Sequence, residues 1–170
     1  MPQIEAFRGL RFDPVRAGDL AALLCPPYDV ISLADQERYL SLSPYNVVRI
    51  ELSPDQPGDS AERNRYTRAA EALAAWRTEG ALRQESERCF YLHCHTFECG
   101  NGTYTRRGVF AAVRLQPWEA GRVLPHEATM SGPKEDRFRL MTATRANVSP
   151  VFAVHRQQPS ALDNAWRWAD

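Results

Sequence analysis

Residues 89–115 run CFYLHCHTFECGNGTYTRRGVFAAVRL, and their reading decides the fold class. Cys89 to Glu98 and Thr103 to Leu115 are rich in β-branched and aromatic residues, and Gly100-Asn101-Gly102 between them supplies turn chemistry. The stretch predicts a long β-hairpin. Upstream, Tyr66, Ala69, Ala70, Leu73 and Trp76 recur at helical spacing, and Gly80 stands where a helix ends, which predicts a helix from Ser60 to Glu79. Downstream, Pro133 introduces a second amphipathic helix reaching about Arg145, with Phe138, Leu140, Met141 and Thr144 as its inward face. Helices interleaved with strands define an α/β or α+β chain: a mixed sheet with a long β-hairpin and two main amphipathic helices.

Further out the signals are shorter. Ile4 to Phe12 reads as an extended segment weakened by Gly9, and Asp19 to Leu24 as one helical turn stopped by Pro26-Pro27. The path through Tyr28-Asp29-Val30-Ile31 is then expected to be extended. Ser32 caps a short helix to about Leu40, with Asp35 in its first turn. The β-branched run from Asn46 to Leu52 predicts a strand, as does Ser149 to Val154, and Ser160 could cap a helix containing Trp166 and Trp168. With no internal repeat or linker, residues 1–170 read as a single domain, expected to be the N-terminal part of a longer protein.

Composition narrows the function classes. The chain is 44% hydrophobic and 25% charged, ordinary for a domain with a core, and 21 basic residues balance 21 acidic ones. Neutrality disfavours a nucleic-acid partner and an anionic membrane surface. No apolar run approaches the roughly 18 residues a membrane span requires, and the start lacks a signal-peptide layout, so a cytoplasmic location is expected. Cys25, Cys89, Cys94 and Cys99 form no C-x-x-C pair, which makes reduced thiols the default.

Chemistry concentrates in His126-Glu127-Ala128-Thr129-Met130-Ser131-Gly132-Pro133-Lys134-Glu135-Asp136-Arg137. A helix starting at Gly132-Pro133 would aim free N–H groups and the positive end of its dipole at a phosphate or carboxylate, with Thr129 and Ser131 beside it. Lys134 and Arg137, three residues apart, could add cationic contacts; Glu127 and His126 are the acid/base candidates. The competing reading makes residues 134–137 a solvated first helical turn. Arg145, Asn147 and Ser149 could complete a polar pocket from the far end of the helix, or serve as cap and dipole complement. Tyr28 and Asp29 after Pro26-Pro27, and Asn46 after Pro44-Tyr45, are further ligand candidates carried on rigid bends, although such motifs also occur as plain turns. Met130 replaces the second histidine of a zincin motif, and His93 and His95 share a strand face that Cys94 does not, so no metal site is expected.

Taken in order, Pro26-Pro27-Tyr28-Asp29-Val30-Ile31, Pro44-Tyr45-Asn46-Val47-Val48-Arg49, and His126-Glu127 through Pro133-Lys134-Glu135-Asp136-Arg137 to Thr144-Arg145-Ala146-Asn147-Val148-Ser149-Pro150-Val151-Phe152 resemble the DUF1015 family across nearly the whole chain. Members commonly run to more than twice this length, and their later half carries an Asp-Gly-His-His-Arg signature similar to ParB/sulfiredoxin folds, absent here. The resemblance implies phosphoryl transfer or hydrolysis on a phosphorylated small molecule, phosphoserine or a nucleotide, in serine metabolism. Lys134, Arg137 and Arg145 would form the anion site, Mg²⁺ and a nucleotide are the possible cofactors, and the C-terminal half would be the partner. The alternative is a non-catalytic ligand-binding, regulatory or scaffolding module.

Overall fold

A computed structural model describes residues 2–126, 130–155 and Trp166. In chain order the strands are β1 (Ile4–Glu5), β2 (Leu10–Phe12), β3 (Leu82–Gln84), β4 (Tyr91–Cys99), β5 (Gly102–Phe110) and β6 (Ala112–Val113). The helices are α1 (Pro14–Ala17), α2 (Leu20–Leu23), α3 (Leu33–Leu42), α4 (Val48–Glu51), α5 (Arg65–Thr78) and α6 (Ser131–Thr144). The architecture is α+β: among the described residues the strands pair only in antiparallel twos, β1 with β6, β2 with β3 and β4 with β5. No helix of the described residues is long and apolar enough to cross a membrane.

The chain divides into two compact units. One comprises Leu10–Glu85 and Glu127–Ser149, and it holds the hydrophobic core. Leu73 and Trp76 of α5, Leu23 of α2, Ile50 of α4, Leu82 of β3 and Leu140 of α6 pack together there, with the Phe12 and Tyr45 rings 6.0 and 5.9 Å from the Trp76 ring. Side-chain caps fix where α1, α2, α3 and α5 begin. Ser32 caps α3 as expected, accepting from the Asp35 amide, while α5 starts later than expected because Asn64 and Thr67 close a reciprocal capping box ahead of Arg65. Gly80, at φ 77°, ends the chain's course beyond α5 with the positive φ that a glycine tolerates.

The other unit comprises Met1–Gly9, Ser86–His126 and Pro150–Asp170. It contains the expected hairpin in full nine-pair register from Tyr91↔Phe110 to Cys99↔Gly102, reversed over Gly100-Asn101 with Gly100 at φ 59°. Phe7 pairs with Cys89, and its ring lies 5.0 Å from Tyr91, whose hydroxyl accepts from the Gly9 amide at 2.7 Å. A methyl group at Gly9 would stand 2.7 Å from that same oxygen, so only glycine admits the Tyr91 phenol there.

Several local expectations are corrected. Residues 46–52 form no strand: the Asn46 side chain accepts from the Val48 amide and starts the helical turn α4, and this tertiary clamp overrides the β-branched propensity. Tyr28–Val30 is a 3₁₀ turn, not an extended path, closed by the Val30 amide donating to Pro27 O. Val151 to Val154 form no strand either; Val151, Phe152 and Val154 are exposed, and Pro150 brings no N–H to a ladder. The expected helix from Ser160, Trp168 included, lies outside the described residues apart from Trp166.

The inward face of α6 also differs from expectation. Phe138 is 66% and Met141 46% exposed, whereas Leu140 is buried and Asp136 and Arg137 are half-buried. The helix closes at Arg145, which adopts the left-handed conformation (φ 51°, ψ 32°), the one non-glycine residue at positive φ among the described residues. That conformation costs an L-residue with a Cβ about 1 kcal/mol. Arg145→Gly is therefore expected to raise stability by about 0.5–1 kcal/mol. A urea midpoint that falls on this substitution would mean that the Arg145 side chain makes a contact outweighing its backbone strain.

Candidate functional site

The densest polar arrangement lies in the core-bearing unit, where α4, α5 and α6 meet. Glu51, the last residue of α4, is only 7% exposed, and its Oε1 accepts from Arg137 Nη1 at 2.9 Å and from the Ser149 hydroxyl. Arg137 Nη2 also donates to the Glu51 carbonyl at 3.0 Å, so one guanidinium satisfies both a side chain and a helix-terminal backbone oxygen. Its Nε donates to Asp136 Oδ2 at 2.9 Å, and its plane lies over the Tyr28 ring, 3.8 Å from the centroid. Asp136 in turn accepts from Tyr66 Oη at 2.8 Å and from Arg65, whose other end reaches Asp55 at 3.7 Å.

Arg65 and Arg137 thus neutralise Glu51 and Asp136, with Tyr66 beside them, around a hollow of ≈ 10 Å³ lined also by Ile50, Leu52, Ser53 and Leu140. That volume holds about one water molecule and no phosphate. Burial pushes the Asp136 carboxyl up, but hydrogen bonds from Arg137 and Tyr66 and the charges of Arg137 and Arg65 outweigh it and hold the group below its ordinary value. Burial, with the Glu51 carboxylate adding to it, pushes the Cys25 thiol up to about 11, which keeps it protonated and non-nucleophilic at neutral pH.

The family profile described as "Protein of unknown function (DUF1015)" matches residues 4–169. The chain belongs to the DUF1015 family. No curated protein and no solved structure matches it.

In this DUF1015 protein the candidate residues fall into distinct places. Arg137 and Tyr28 come together in the Glu51 network, joined by Ser149. Asn46 is fully buried, with Nδ2 donating to the Ala22 and Leu24 carbonyls at 2.8 and 3.2 Å. Its amide therefore serves the joint between α2 and α4. Ser131 and Lys134 sit exposed in the first turn of α6, and Arg145 and Asn147 are exposed beyond its last. Lys134 and Arg145 are eleven residues apart, roughly 16 Å along the helix, too far to hold one phosphate together. Asp29 and His126 are exposed, and Glu127 and Thr129 lie outside the described residues.

Sequence reasoning missed Glu51, Arg65, Tyr66 and Asp136. Arg65 and Asp136 look like solvated charges on helix surfaces, and nothing local marks them as partners 71 residues apart. Glu51 left a usable signal, a lone acid enclosed by Val48, Ile50 and Leu52.

Proposed function

We propose that this chain is the phosphate-receiving part of an enzyme acting on a phosphorylated small molecule, phosphoserine or a nucleotide, with the start of α6 as the anion seat. The observation that carries the reading is the open N-terminus of α6. Its cap residue is Met130, which provides no side-chain acceptor, and Lys134 has no partner among the described residues. The first-turn amides of a 14-residue helix and one free ammonium thus face solvent together, the charge pattern an anion needs. Arg137 is committed to Glu51, Asp136 and Tyr28, so its part is to anchor the helix. In this reading His126 and Glu127, just ahead of α6 in the sequence, carry the proton transfers, and Mg²⁺ with a nucleotide would supply the charge stabilisation that phosphoryl transfer requires.

A second reading, a non-catalytic ligand-binding or scaffolding module, is favoured by the self-neutralised Glu51–Arg137–Asp136–Arg65 network, which spends its charges on the fold. Thermal shifts with phosphoserine, serine, ADP and ATP with Mg²⁺ separate the two. The enzyme reading expects a phosphorylated ligand, but not serine, to stabilise the chain by about 2.7 kcal/mol at a hundredfold excess over Kd, and Lys134→Ala to remove most of that gain. No shift with any phosphorylated ligand, or one that Lys134→Ala leaves whole, would return the start of α6 to an ordinary solvated helix end.

A further inference from the structure

The β4–β5 ribbon presents two unlike faces. Its register sets Tyr91 opposite Phe110, His93 opposite Gly108, His95 opposite Arg106 and Phe97 opposite Tyr104, so these side chains project from one face. The rings there form a continuous series. Centroid separations run 5.5 Å from Phe110 to His93, 6.0 Å on to His95, 5.3 Å on to Phe97 and 6.2 Å on to Tyr104, the last pair stacked. His93, His95, Phe97 and Tyr104 are all exposed.

Arg106 is the fixed charge on this face. It donates from Nη2 to His95 Nδ1 at 3.2 Å, and its guanidinium lies 5.0 Å from the Phe152 ring centroid. Arginine can only donate, so His95 Nδ1 is the bare nitrogen and Arg106 is held against the ring series. Within the β4–β5 ribbon itself no acidic side chain stands on this face: Glu98, opposite Thr103, projects from the other. Opposite His93, Gly108 leaves open space, since a Cβ there would meet nothing within 4 Å.

We infer that this face binds single-stranded nucleic acid, with unpaired bases stacking on His93, His95, Phe97 and Tyr104 and a backbone phosphate meeting Arg106. Flat rings in water favour a flat partner, and every unpaired base offers one. Successive residues on one strand face stand roughly 6.8 Å apart, which presents the rings as a row and not as a single pocket. A ribbon face bearing one guanidinium and a row of rings, with no acid of its own, complements a polyanion with exposed π-faces, whereas an apolar protein partner would leave Arg106 uncompensated. Duplex DNA fits poorly because its bases are already stacked on one another. The overall neutrality of the chain is compatible with this site, because stacking supplies the affinity and one arginine supplies the electrostatics. The inference is independent of the anion seat proposed at α6.

Fluorescence anisotropy of a labelled oligothymidylate titrated with the whole chain tests it. Saturable binding is expected, weakened roughly five- to a hundredfold by His95→Ala and by Phe97→Ala. Glu98→Gln, on the opposite face, leaves that binding in place. Affinity is expected to fall only weakly with salt, with a logarithmic slope of about −0.7 for one phosphate contact, and Arg106→Gln to bring the slope near zero while leaving far-UV circular dichroism unchanged. Absence of binding, equal binding of a duplex, or ring substitutions without effect would each overturn the assignment. Self-association of the chain that disappears with Phe97→Ala, in the absence of oligonucleotide binding, would give the face to a second copy and overturn it as well.

Discussion

Arg137→Ala is expected to lower the unfolding free energy by about 3–5 kcal/mol, the cost of removing one partner from a buried ion pair. The loss has several sources at once: Glu51 loses its cationic partner at 7% exposure, its carbonyl loses a donor, and Tyr28 loses the cation stacked on it. Lysine cannot substitute, because a single ammonium does not reach Glu51 Oε1, Glu51 O and Asp136 Oδ2 with the planar fork those three oxygens require. Removing both charges, as in Glu51→Gln with Arg137→Met, is expected to recover much of the loss. The acid limb adds a second signature. Asp136 titrates below its ordinary value in the folded protein, so it binds fewer protons there than in the unfolded chain. Its contribution is present above the unfolded value near 3.9 and is lost as pH falls through the lower folded value. Arg137→Ala removes a principal cause of that depression, so urea midpoints of the variant should decline less steeply with acid than those of the wild type. A variant within about 0.5 kcal/mol of wild type at neutral pH would show that Glu51 and Asp136 find other partners.

Asn46→Ala ranks next. The substitution deletes two donors to the Ala22 and Leu24 carbonyls and the acceptor for the Val48 amide, at a fully buried position. Three hydrogen bonds at about 1 kcal/mol each, together with buried groups left unsatisfied, predict a loss of roughly 3–4 kcal/mol. The amide of Val48 reports the effect locally. It should exchange with deuterium far faster in the variant, and protection retained at the wild-type level would show that water or a rearranged turn replaces the Asn46 side chain.

How much of this was legible depended on whether the deciding interaction was local. Ser32 and Asp35, the Gly100-Asn101-Gly102 reversal and the breaker Gly80 act within a few residues, and each is found where local chemistry places it. The segment 46–52 misleads because Val47, Val48 and Ile50 favour a strand, while the group that wins is a buried amide bonded to carbonyls 24 and 22 residues earlier. The face of α6 misleads for the opposite reason. Apolar periodicity selects Phe138 and Met141, but what is buried beside Leu140 is an arginine and an aspartate satisfied by partners from α4 and α5. The resemblance motifs were more informative: Tyr28 from the first, and Arg137 and Ser149 from the two ends of the last, converge on Glu51 and its guanidinium partner.

That convergence also orders events in time. Glu51 is bonded to residues 86 and 98 positions further along the chain, so its partners leave the ribosome long after α4. Loop closure over such separations is slow to repay its entropy, and α6 is therefore expected to dock after the elements that precede it in the chain. Interactions formed after the rate-limiting barrier govern how fast the native state comes apart, not how fast it is reached. The Glu51–Arg137 pair is accordingly expected to act as a latch on lifetime: cutting it should raise the unfolding rate in a urea chevron while leaving the folding rate nearly untouched.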